Sequence, residues 1–369
     1  MIVTKSNAFD FHKETLFVKK VFVCALLFLT ILLTFGELYP RKSQKIDLST
    51  GAGISKMLRY DDAQVYLFGE THRCTEYQQF RNVLFKYLVK EKGVRVLVEE
   101  AGYATTFLEN ETVQGRLSFS DWLDRCTSSK EDYELYQWIA DWNSGREDAD
   151  KISIIGIDIT DNIGNMQMLC QYLLKTCNFT GADVQTQRLL TAIRKQNPFS
   201  SLQLQTFQDE FLPQLIELYQ TKPEQLENVL GTQAMYLERA LLGWQEALEQ
   251  QRLRGKAEQL GDSDDVYREN CLYENFMREY QERPDTKYYG EFGAAHVLMS
   301  DYSGKIYRVQ NSFVTRLAEE GSPLNGKLTV IDGGLTFEIG DLGESDTNKV
   351  TLYNTASAKP PVQDMNKFY

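Results

Sequence analysis

Histidine is scarce in this sequence: three occur among 369 residues, at positions 12, 72 and 296. Imidazole chemistry in the body of the chain therefore rests on His72 and His296. Basic blocks are lacking as well. The chain carries 52 acidic residues against 40 basic ones, a formal net charge of -12, and no Lys/Arg run long enough to follow a phosphate backbone. That balance argues against a nucleic-acid partner. Cysteine is sparse and odd in number once Cys24, inside an N-terminal apolar run, is set aside. Cys74, Cys126, Cys170, Cys177 and Cys271 contain no CxxC pair, which speaks against both a disulfide framework and a zinc site. Cys170 and Cys177 are too far apart along a helix to bridge, by about 10 Å, and read as core thiols if the helix reaches Cys177. There is no internal repeat and no low-complexity tract, and the 8 Pro, 24 Gly and 42% hydrophobic residues fit an ordinary globular chain.

One long apolar run is present. Residues 21–35 (VFVCALLFLTILLTF) carry no charge and follow Lys13, Lys19 and Lys20. This is the pattern of an export signal, short of the roughly 20 residues that a spanning helix needs. Thr34 and Gly36 place small residues for a cut before Glu37; an uncleaved membrane anchor is the other outcome, with a cytoplasmic amino terminus. Either way the body of the protein is expected outside the cytoplasmic membrane. The expected organisation is residues 1–36 as signal or anchor, 37–59 as linker, and 60–369 as one α/β domain.

Short β-rich runs alternate with helical ones from residue 60 onward. Residues 64–68 (QVYLF), 94–98 (VRVLV) and 152–157 (ISIIGI) predict buried strands. Between the first two, Thr75-x-x-Gln78 predicts a capping box, Tyr77, Phe80, Leu84 and Leu88 share one helical face, and Gly93 closes the helix. Strand, helix, strand at these lengths predicts parallel strands with crossover helices. Residues 163–283 read as a helical insertion holding a long hairpin over 204–256, turned near Lys222-Pro223, which is a candidate lid or homodimer arm. The sheet resumes at 287–292 (KYYGEF), and short strands are expected at 304–309, 327–332 and 349–354, with a turn at Asp332-Gly333-Gly334. The fold class is thus α/β: a mostly parallel central sheet flanked by helices, with a helical hairpin insertion and a short β-rich C-terminal part.

In open parallel sheets the ligand site lies beyond the carboxyl ends of the strands. Here those ends carry Gly69-Glu70-Thr71-His72, Glu99-Glu100, Asp158 and Gly293-Ala294-Ala295-His296. A histidine held by a carboxylate in one tautomer can activate water as a general base near neutral pH. Two histidines with carboxylates are equally a first shell for a divalent metal, with Glu70, His72 and His296 as ligands. Strict alternation lets only one of Glu99 and Glu100 face the site, and we take Glu100. Asp158 serves either as a cap or as a binding residue. Trp138 and Trp142, at helical spacing, read as core.

These segments, with Leu135-Tyr136-Gln137-Trp138 to Asn143, Arg268-Glu269 and Asn275, occur in an order that resembles the erythromycin esterase-like and ChaN/Tiki-like superfamily over roughly residues 60–310. The resemblance implies an α/β fold with a helical insert and a cleft lined by Glu, His, Glu and a second His. It implies His72 as the base, Glu70 and Glu100 as groups that orient it or the water, and His296 as the group that polarises or binds substrate. Asp158, Arg268 and Asn275 would contact substrate. The single residue, Thr71, between Glu70 and His72 is similar to the ChaN and Tiki branches, which imply haem binding and metal-dependent peptidase activity respectively. The reading is an exported or anchored hydrolase of an ester, lactone or amide in a small molecule or peptide. Its alternative is a haem- or metal-binding envelope protein, with any of the 20 Tyr available as an axial ligand.

Overall fold

The computed structural model describes residues 43–59, 61–70, 72, 74–121, 129–159, 162–254, 263–299, 302–303, 308–309, 311–332 and 349–354. The expected export signal, Thr71, Cys24, Cys126, Trp122 and the Gly333-Gly334 turn lie outside these residues. The strands are β1 (Ser43–Asp47), β2 (Val65–Glu70), β3 (Val94–Gly102), β4 (Ser153–Asp158), β5 (Lys287–Gly293), β6 (Tyr302–Ser303), β7 (Arg308–Val309), β8 (Leu328–Asp332) and β9 (Lys349–Asn354). Seven of them form one sheet in the order β1-β9-β8-β2-β5-β3-β4. Strands β8, β2, β5, β3 and β4 run parallel, and β9 is antiparallel to β8.

The central strands are continuous apolar runs because helices cover both of their faces. Alternation along β2 sends Tyr66 and Phe68 to one core and Val65 and Leu67 to the other. The first face is covered by α2 (Thr75–Tyr87), α3 (Tyr103–Val113), α4 (Lys130–Asn143) and α5 (Ile163–Leu174), counting Ile54–Met57 as α1. The second is covered by α11 (Ser263–Glu282), α12 (Ala294–Val297) and α13 (Phe313–Leu317). Among the described residues of the insertion, α6 (Val184–Lys195), α8 (Leu212–Thr221), α9 (Pro223–Leu230) and α10 (Ala234–Arg254) add to the core on the first face, whereas α7 (Ser201–Thr206) buries no residue.

Local chemistry sets the helix starts. Ser129 Oγ accepts from Asp132 N at 3.0 Å, Asn162 Oδ1 from Gly164 N at 2.7 Å, and Asp183 Oδ1 from Thr186 N at 2.8 Å. The capping box expected at Thr75 does not form: Cys74 is the cap residue of α2 and its side chain makes no cap hydrogen bond. The expected two-helix hairpin is also broken twice, because Gly231 adopts φ +58° in addition to the turn at Lys222. Helix α5 ends at Leu174, short of Cys177, whose thiol donates to Leu173 O at 3.0 Å; Cys170 is buried and both are free thiols. The segment expected as a linker carries β1 and α1, with Ile46, Leu48 and Ile54 buried. Of the strand expected over 304–309, residues 308–309 form β7, which pairs antiparallel with β6 apart from the main sheet, and 304–307 lie outside the described residues.

Candidate functional site

The sheet order places the carboxyl ends of β2, β5, β3 and β4 side by side, with Glu70 opposite Gly293 and Gly102 opposite Asp158. Strand β5, reached only after the insertion, lies between β2 and β3. Its end therefore brings His296 to the side of Glu100 away from Glu70-His72. The register of β3 against β4 shifts between Glu99 and Gly102. This bulge crowds Gly156, where a Cβ would lie 2.3 Å from Ala101 O and 2.6 Å from Thr106 Oγ1, so only glycine fits. The bulge also corrects the alternation argument: Glu99 and Glu100 both line the same open cleft, of about 810 Å³.

Two histidine–carboxylate pairs face each other across Glu100. His72 Nδ1 pairs with Glu70 Oε1, and His296 Nδ1 with Glu269 Oε1. Glu269 is fully buried and its other oxygen accepts from Phe313 N at 2.8 Å. Glu100 takes the Gly293 N–H on Oε2 at 2.6 Å, and that oxygen lies 3.9 Å from His72 Nε2. Glu100 Oε1 accepts from Arg268 Nη2 at 2.8 Å and lies 3.2 Å from His296 Nε2. Arg268 also clamps Asp158 with two hydrogen bonds, Nε to Oδ1 at 2.9 Å and Nη2 to Oδ2 at 2.6 Å. Asp158 Oδ1 in turn caps the chain by accepting from Ile159 N at 2.7 Å.

Exposure divides the two histidines by task. The His72 side chain is 64% exposed in the cleft, while that of His296 is 4% exposed and stands behind Glu100 and Arg268, outside the lining. The hydrogen bond that His72 Nδ1–H donates to Glu70 raises the His72 pKa above its ordinary value, burial opposing it. Burial alone would lower His296, but the hydrogen bonds and charges of Glu100 and Glu269 outweigh it and hold the ring at about 9. His296 is thus an imidazolium, with Nε2–H directed at Glu100. The 3.2 Å approach of Arg268 Nη1 to the same nitrogen would be a hydrogen bond only to a neutral ring, and two carboxylates outweigh one guanidinium. Burial pushes Glu100 up, yet His296, Arg268 and the Gly293 N–H together hold it well below the usual carboxylate range.

Asn275, expected at the site, does not line the cleft; it donates to Ile157 O at 3.0 Å and accepts from Arg278 Nη1 at 2.9 Å. Conversely, the cleft contains a second polar group of residues that the strand-end argument missed. Arg81, 7% exposed, reaches Asp132 Oδ1 at 2.8 Å and Glu291 Oε2 at 3.2 Å. Tyr136 OH donates to Glu99 Oε1 and Oε2 at 3.0 and 3.2 Å. Burial and the charge of Glu99 push the neighbouring Glu109 well above the carboxylate range, and burial raises Glu99 as well. Burial raises Glu291 to about 7 against the opposing charge of Arg81.

The residues do not fit the metal that the sequence suggested. His72 and His296 each commit Nδ1 to a carboxylate, His296 Nε2 faces Glu100, and the Arg268 guanidinium already bridges Glu100 and Asp158. Among the described residues no group of three or more His, Cys, Asp or Glu is arranged to hold a metal ion. Among the described residues the lining offers a porphyrin only Ala101 and Phe292 as aliphatic or purely aromatic side chains. No helix among the described residues is long and apolar enough to cross a membrane.

No family model matches this chain, and no curated protein does. Solved structures match in fold. The Q81BN2_BACCR protein from Bacillus cereus is 20% identical with a TM-score of 0.51, covering 77% of this chain and 68% of that one. A succinoglycan biosynthesis protein is 18% identical with a TM-score of 0.51, covering 76% and 67%. An erythromycin esterase EreC mutant in its open conformation is 15% identical with a TM-score of 0.49, covering 82% and 78%. The haem-binding ChaN of Campylobacter jejuni is 11% identical at 0.33, covering 84% and 96%. The last two scores carry no argument about chemistry. The likeness to the first two structures reaches the α/β fold and no further.

Proposed function

We propose that this protein is a hydrolase that uses His72 to activate water against an ester, lactone or amide carbonyl. The observation that carries the reading is the pairing of His72 Nδ1 with Glu70, which leaves Nε2 as the basic atom in the open cleft. In the forward step His72 Nε2 takes a proton from water as the water oxygen bonds to the acyl carbon. Arg268 and the imidazolium of His296 bias the local field toward the resulting oxyanion. The intermediate then breaks its bond to the leaving oxygen or nitrogen, which receives the proton from His72. Acid and alcohol or amine are released, and the site returns unchanged. His296, buried behind Glu100, acts as a positioning residue.

The export signal would place this activity outside the cytoplasmic membrane, which fractionation of cells expressing the full chain tests. For the chemistry, His72→Ala should lower turnover of an ester by about 10²–10⁴-fold. Its melting temperature should stay near wild type, because the ring is largely exposed. Retained turnover in that variant would sink the reading.

A further inference from the structure

The walls of the cleft narrow the substrate. Small-molecule pockets are ordinarily lined by hydrophobic side chains with a few polar groups. Here the proportion is reversed: of the sixteen described residues that line it, only Ala101 and Phe292 lack a polar side-chain atom. An aliphatic ligand laid against such walls would strip water from carboxylates and amides and return nothing for it.

The charges are also arranged in bridged sets. Arg268 is shared by Glu100 and Asp158, and Arg81 by Asp132 and Glu291. Each guanidinium fixes two carboxylates but offsets only one, and with Glu70 and Glu99 the described lining keeps a net negative charge that selects against an anionic ligand. Each carboxylate nevertheless has about four acceptor positions, and its arginine takes one or two. What is left is a set of oriented acceptors that match hydroxyl donors. A donor is present too: Arg81 Nη2 is buried without a hydrogen-bond partner among the described residues, on a side chain that is itself 7% exposed and lines the cleft.

We propose that the cleft takes a polyhydroxylated, carbohydrate-like ligand, and that the bond cleaved is an ester of one of its hydroxyls. The second clause rests on the hydrolase reading above; the first stands without it. Asp132, Glu291 and Arg81 form the hydroxyl-binding wall of the same cleft that His72 lines. Hydrolysis consumes one water, breaks the acyl carbon to sugar oxygen bond, and returns that proton to the sugar hydroxyl.

Two measurements on the folded protein separate the clauses. Calorimetric titration with methyl glucoside and with a glucose tetrasaccharide, neither of which can be hydrolysed as an ester, reads polyol binding. Steady-state rates on 6-O-acetylglucose and on hexyl acetate, which share an acyl group, read selectivity. We expect saccharide binding, weakened about tenfold in the isosteric variants Asp132→Asn and Glu291→Gln, and a kcat/KM ratio favouring the sugar acetate that falls by a similar factor in both. Saccharide binding with no turnover of either ester would uphold the polyol site and overturn the hydrolase. Turnover of hexyl acetate at least equal to the sugar acetate, with no saccharide binding, would overturn the polyol site alone. Neither binding nor turnover would overturn both.

Discussion

A Cβ built on Gly293 would lie 3.0 Å from His72 Nε2, so the last residue of β5 sets how closely the sheet approaches the proposed base. The backbone there, φ -50° and ψ 135°, is open to any residue, so the constraint is space rather than conformation. Gly293→Ala should therefore fold with a melting temperature close to wild type while displacing the imidazole. We expect kcat to fall by roughly 10- to 100-fold, since misplacement of a catalytic group by about 1 Å has costs of that order. Parallel thermal melts and rate measurements check it.

The Arg268 clamp predicts a stability effect of a particular sign. The Asp158 side chain is 2% exposed and Arg268 supplies its charge partner. Arg268→Met strands a buried carboxylate and should cost on the order of 3–5 kcal/mol in urea unfolding. Adding Asp158→Leu should recover much of that loss, because removing both members spares the desolvation of a lone charge. Equal destabilisation in single and double variants would contradict the clamp.

His296 makes stability depend on pH. Its pKa is raised from 6.5 to about 9 in the folded chain by Glu100 and Glu269, against burial. The folded state therefore binds the proton more tightly than the unfolded state. The resulting stabilisation is fully present below pH 6.5 and is lost as pH rises through 9. The urea midpoint should fall across that window, and Glu269→Gln should flatten the fall.

Much of this layout was legible from sequence because buried parallel strands are apolar runs that stop at glycine and acid. β2, β3, β4, β5, β8 and β9 fall where such runs predict them, and their ends carry Glu70, Glu100, Asp158 and Gly293. Arg81 went unnoticed, and Glu269, named only within a motif, was given no role, for one reason. Arg81 lies on the helical stripe of Tyr77, Phe80 and Leu84, and Glu269 on that of Leu272 and Phe276, all buried. A charge on an otherwise apolar helix face was the available signal, since it must find a partner inside. Glu99 was set aside by an alternation rule that the bulge in β3 breaks. β1 escaped because Ile46 and Leu48 are single apolar residues in a polar stretch, and the sheet that recruits them is assembled from residues far along the chain.

The central position of β5 also dictates when the molecule can come into being. On a growing polypeptide β2 and β3 emerge long before β5, yet each pairs with β5 and they do not pair with each other. The middle of the sheet must stay unzipped until the whole helical segment has been made, and the closing contacts span more than half the chain. Late, non-local pairing of this kind slows folding and leaves two apolar strand edges open in the interim. A chain truncated before residue 287 would lack both the strand that joins the sheet and the histidine beside Glu100, so completion of the core and completion of the cleft are one event.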